Sequence, residues 1–117
     1  MTTNLKLDET RLRDMMDFIM LEREDTPEVA SEIINGSIRE ALDMAFGDQV
    51  SKLVQTILEL KREKRITRIE TESFLGRLKD TFGEDSESIE KIIYGRMLAR
   101  FHLVELRKKI GFKQSLI

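Results

Sequence analysis

The chain has 117 residues and a mass of 13.7 kDa, with 40% hydrophobic and 36% charged residues and a formal net charge of −2. That length is one domain, and that balance is globular, which excludes a disordered tail as the whole protein. With no cysteine and His102 as its one histidine, the chain excludes disulfides, thiolate metal sites and multi-histidine metal sites.

Apolar runs are only a few residues long, too short for a membrane span. Met1-Thr2-Thr3-Asn4-Leu5-Lys6 carries no apolar signal core, so a cytoplasmic protein is expected. The small net charge hides an asymmetry: residues 1–45 carry a formal −6 and residues 46–117 carry +4. An acidic front half and a mildly basic back half suit solvated helix faces and can also steer a partner.

One proline and six glycines punctuate the chain, and the abundance of Leu, Ile, Glu, Lys and Arg predicts helices. Asp8 is placed to cap a first helix over about residues 9–23. There Leu12, Met15, Met16 and Ile19 form one apolar stripe, and Phe18 and Met20 fall outside it, which implies a second buried face. Thr26-Pro27 reads as an N-cap followed by proline at the first helical position.

The second helix carries Val29, Ala30, Ile33, Ile34, Ile38, Ala41, Leu42 and Ala45. Asn35-Gly36-Ser37 in its middle predicts a kink or a close helix crossing. Phe46-Gly47-Asp48 ends it, glycine suiting a left-handed position and Asp48 being placed to cap the next helix. Val50, Leu53, Val54, Ile57, Leu58 and Leu60 then give an amphipathic third helix.

Thr67-Arg68-Ile69-Glu70 matches a capping box. The fourth helix presents Phe74, Leu75, Leu78 and Phe82 and closes at Gly83. A fifth begins near Ser86 and extends to about Ile110, with Gly111 as its expected stop. Its apolar residues occupy more than one face, so it is either central in the domain or shared between subunits. A 36-residue spacing aligns Phe46-Gly47 with Phe82-Gly83. Glycine-capped amphipathic helices produce such a pattern without a repeat, and that reading is preferred to two similar hairpins.

The chemistry-bearing residues form no catalytic set. The glycines are isolated, so no phosphate-cradling loop is present. His102 has helix-forming neighbours and reads as a helix-face residue. The acids of residues 80–90 lack the oxygen-ligand spacing of a calcium loop. No enzyme activity, metal or cofactor is expected. Lys61, Arg62, Lys64, Arg65 and Arg68 form a basic stretch able to contact phosphates, but no aromatic interleaves them. The acidic front half weighs against nucleic acid as a partner.

Residues 3–34 also resemble the ribbon-helix-helix DNA-binding family. Leu5 and Leu7 alternate with Asn4 and Lys6 as a short strand would, Leu12, Met15 and Ile19 fit the first helix, and Val29, Ala30, Ile33 and Ile34 fit the second. The resemblance implies a dimer whose outward strand side chains, Thr2, Asn4 and Lys6, read the major groove. The helix from Ile89 to Ile110 is similar to helical domains of replication-complex subunits of the GINS type, which implies no role for any single residue.

The expectation is one all-α domain over residues 1–117, of four to five amphipathic helices in a compact bundle of hairpins, with a short N-terminal strand as an option. The function expected is that of a non-enzymatic protein-protein interaction module that self-associates, with Met97, Phe101, Val104 and Phe112 as contact residues. The alternatives are a dimeric DNA-binding regulator or a minor subunit of a nucleic-acid-processing complex. For these Asn4, Lys6, Lys61, Arg62, Lys64, Arg65 and Arg68 are the candidate contacts.

Overall fold

The computed structural model of the protein describes residues 9–60 and 66–115, with side chains over residues 11–60 and 66–106. Among these residues the chain is all-α and holds no strand. The elements are α1 (Glu9–Glu22), α2 (Pro27–Phe46), α3 (Asp48–Ile57), α4 (Arg68–Phe82), a single 3-10 turn (Gly83–Asp85) and α5 (Ser86–Ser115). The expected strand at residues 3–7 and the Asp8 cap lie outside the described residues. No helix among them is long and apolar enough to cross a membrane.

The central element is α2, which packs against α1, α3 and α5. Its middle is buried on every side, from Ala30 and Ser31 through Ile33–Ile38 to Ala41 and Leu42. Pro27 holds the first helical position, where its missing N–H costs nothing. The side chain of Thr26 makes no capping hydrogen bond. Asn35-Gly36-Ser37 does not break the helix. Asn35 Nδ2 donates to Ser31 Oγ at 3.1 Å, and Ser37 Oγ donates to the Ile33 carbonyl. Both groups thereby find partners within their own helix. At Gly36 the space that a side chain would take is filled by the guanidinium of Arg100 from α5.

Gly47 and Gly83 have φ of 83° and 57°, backbone that glycine adopts without a Cβ penalty. Gly47 is itself the residue before α3, so Asp48 is the first residue of that helix and not its cap. The turn at Gly47 and the turn at Gly83 bring Phe46 and Phe82 together as a stacked pair, centroids 5.5 Å apart. The matched Phe-Gly corners therefore meet in space.

The end of α3 is built differently. Leu60 N donates to the Gln55 carbonyl at 2.9 Å and Glu59 N to the Thr56 carbonyl at 3.0 Å. This is the bond pair of a Schellman motif. Its left-handed position is held by Glu59, with φ of 55°, and not by glycine. Arg77 of α4 donates from Nε to the Leu58 carbonyl at 2.7 Å. That bond satisfies an orphan acceptor and sets a cation at the negative end of the helix.

The capping box of α4 forms as the sequence predicts. Thr67 Oγ1 accepts from Glu70 N, and Glu70 Oε1 accepts from Thr67 N at 2.8 Å. At the other end of the chain, α5 does not stop at Gly111 but continues to Ser115. One glycine costs a helix interior only about 1 kcal/mol, less than the surrounding helix formers supply. Leu12, Met16 and Ile19 of α1 meet Ile33, Ile34, Ile38 and Leu42 of α2 in the core. Leu75 and Leu78 of α4 and Ile93 and Met97 of α5 complete it.

Candidate interaction surface

Helix α5 runs 30 residues, about 45 Å at 1.5 Å per residue. Its first half is anchored by Ile89, Ile93 and Met97, a stripe at four-residue spacing buried against α2, α1 and α4. In its second half the apolar residues spread around the helix. Phe101 and Val104 are half-buried against the core, while Leu98, Leu103 and Leu106 stay exposed.

Alongside lies α1, which with Arg23 just beyond its end makes aromatic and charged contacts with α5. Phe18 meets Phe101 edge to face, centroids 5.5 Å apart. Arg23 pairs with Glu105 and sits over the Phe101 ring at 5.8 Å. Arg11 sits over Tyr94 at 5.2 Å. These attach one flank of α1 to α5 and leave its outer face uncovered. Phe18 keeps 44% of its surface exposed and Leu21 67%, among the exposed acids Asp14, Glu22, Glu24 and Asp25. The outward side of this two-helix layer thus carries Phe18, Leu21, Leu98 and Leu106, while Leu103 lies on the other flank of α5, beside Glu32, Glu40, Arg96 and Arg100. Contiguous exposed apolar residues with a polar rim mark interaction sites.

A charged seam borders the layer where α2 crosses α5. Arg96 Nε and Arg100 Nε both donate to Glu40 Oε1, at 3.1 and 3.4 Å, and Arg100 Nη1 reaches Glu32 Oε2 at 3.4 Å. The seam is matched in sign, so it fixes the crossing and leaves the two arginines neutralised. A separate cavity of about 180 Å³ lies between α2 and α4, with Met16, Ile38 and Phe74 on its apolar side and Asn35 and Arg77 among its polar groups. Val50, Leu53 and Ile57 give α3 a short exposed stripe, and Met44 of α2 is exposed as well.

The structure sorts the residues singled out by sequence. Met97 is fully buried and is core, which removes it from any contact surface: its four-residue spacing from Ile93 points it inward. Phe101 lies at the edge of the surface, and Val104 is half-buried on the α2 side of α5, beside Ile33 and Arg100. The side chain of Phe112 lies outside the described residues, as do Asn4, Lys6, Lys61, Arg62, Lys64 and Arg65. Arg68 is exposed and pairs with Asp17 at 3.4 Å. His102 is exposed on α5, next to Phe101. Among the described residues no group of three or more His, Asp or Glu is placed to hold a metal ion.

The residues that sequence reasoning passes over are Leu21, Leu98 and Leu106. A signal for the last two is present in the two-faced pattern of α5, whereas Phe18, expected on a second buried face of α1, is exposed. Leu21 gives no signal beyond being apolar near a helix end. No family model, curated protein or solved structure matches the chain.

Proposed function

We propose that the protein is a non-enzymatic helical module that works by protein-protein contact and self-associates, its hairpins serving as the scaffold for one binding face. The observation that carries this reading is the outward side of the α1–α5 layer, where Phe18, Leu21, Leu98 and Leu106 remain exposed around the half-buried Phe101. A domain of this size gains solubility by turning such side chains to polar ones, and their retention on one side favours a covered surface. The fully used core supports the same division of labour, since these residues are not needed to close it.

Light scattering on a sizing column tests the reading. The wild-type chain is expected to elute with more than one chain's mass at concentrations of about 10–100 μM, the range of a weak dimer. The Phe18→Ser/Leu98→Glu variant is expected to run as a monomer with unchanged helix content. A wild type that stays monomeric and captures no protein partner would overturn it.

A further inference from the structure

We propose that the cavity between α2 and α4 is a binding site for a small, neutral, single-ring aromatic amide. The site lies apart from the outward α1–α5 face and does not rest on the self-association proposed above.

The cavity has a volume of about 180 Å³. A dry protein cavity of about 150 Å³ takes up benzene, so this one has room for a single ring with one substituent. Met16, Ile38 and Phe74 line its floor, and all three are buried. A thioether, a branched alkyl group and a second ring are surfaces against which an aromatic ring packs well.

Polar chemistry is set into the same floor. Asn35 is 4% exposed and lines the cavity from the middle of α2. Its bond to Ser31 Oγ uses one amide hydrogen. The second hydrogen and the carbonyl oxygen have no partner among the described residues. A buried amide left half-satisfied destabilises a fold, and asparagine is a weak helix former. Neither the core nor α2 requires it, since an apolar helix former would serve both. Thr71, 1% exposed, also lines the cavity; its hydroxyl donates to the Arg68 carbonyl and keeps its lone pairs as acceptors. The free N–H and C=O of Asn35 match a ligand that carries an acceptor and a donor together, and an amide carries both.

The mouth selects against negative charge. Glu59 and Glu70 stand there with one guanidinium, that of Arg77, whose Nε is already bonded to the Leu58 carbonyl. Two carboxylates against one guanidinium oppose an anion. The floor holds no carboxylate to receive a cation, which leaves a neutral ligand. The mouth is also preformed: the Arg77 bond ties α4 to the turn in which Glu59 sits in left-handed backbone.

The test is heteronuclear NMR of the full chain titrated with benzamide, benzoate and toluene. Benzamide is expected to bind with a Kd of about 0.1–1 mM, the range for about nine non-hydrogen atoms. It should shift the side-chain amide signal of Asn35 and the backbone signals of Thr71 and Phe74. Benzoate and toluene should each bind about tenfold more weakly or worse. In Asn35→Leu, benzamide should lose about tenfold while toluene loses nothing. If that variant fails to fold, the preference of the wild type for benzamide over toluene decides the role of the amide. Absence of these shifts at about 10 mM benzamide would make the cavity a solvent-filled void and overturn the proposal. Equal affinity for benzamide and toluene, or a preference for benzoate, would overturn it as well.

Discussion

The guanidinium of Arg100 lies against the Cα of Gly36, so closely that a Cβ at position 36 would fall 2.6 Å from Nη1 and 2.8 Å from Cζ. This is where α5 crosses α2, and the same arginine bonds Glu40 and Glu32 of α2. Alanine is a better helix residue than glycine by about 1 kcal/mol, but here its methyl must push the arginine head aside. Gly36→Ala alone is therefore expected to change stability by less than about 1 kcal/mol. In an Arg100→Ala background the same substitution should stabilise by about 1 kcal/mol. Urea denaturation of the four proteins in the cycle measures this coupling, and equal effects in both backgrounds would contradict the contact.

Two threonines read alike in sequence and differ in structure. Thr67 makes a complete capping box, whereas the side chain of Thr26 makes no capping bond. Thr67→Ala should cost about 1 kcal/mol and Thr26→Ala less than half of that. Thermal denaturation of both variants decides the matter; equal losses would mean that the Thr67 bonds contribute nothing.

The Schellman turn after α3 holds Glu59 in left-handed backbone, with φ of 55°. Glycine removes that strain, and its extra freedom in the unfolded chain offsets part of the gain. Glu59→Gly is expected to stabilise by about 0.5–1 kcal/mol, whereas Glu59→Ala should stabilise little or not at all, because its Cβ keeps the strain. Denaturant midpoints of the two variants provide the comparison. A glycine variant less stable than wild type would show that the Glu59 side chain contributes more than its backbone costs.

The two apolar populations of α5 separate in the same way. Ile93 and Met97 are fully buried, and Leu103 and Leu106 are about half-exposed. Ile93→Ala or Met97→Ala should cost about 2–5 kcal/mol through transfer and cavity terms. Leu106→Ser should leave the stability of the isolated chain within about 0.5 kcal/mol, so that its effect appears in association. Calorimetry at a dilution where the protein is monomeric checks both halves of the statement.

Much of the fold is legible in the sequence because its punctuation is local. Thr67 and Glu70 name their own partners, Gly47 and Gly83 fill positive-φ corners, and Pro27 opens a helix. The elements that sequence misreads depend on the rest of the molecule. Gly111 reads as a stop, but its neighbours carry α5 through it. Val50, Leu53 and Ile57 share a sequence stripe with Val54 and Leu58, yet only the latter two are buried, because α3 packs on one side only, against α2.

Within the candidate surface, apolar character is visible in the sequence and direction is not. Met97 and Leu98 are adjacent in the chain, and only the packing of α2 and α1 around α5 decides which of them faces water. Sequence therefore points to Met97 as a contact residue and passes over Leu98.

Whether the outward α1–α5 face joins two copies of the chain is decided most directly by sedimentation equilibrium of the unmodified protein over a wide concentration range. The mass is expected to rise from 13.7 kDa to twice that value and level there, as a closed two-fold contact requires. A mass that stays at one chain throughout, or climbs without limit, would contradict it.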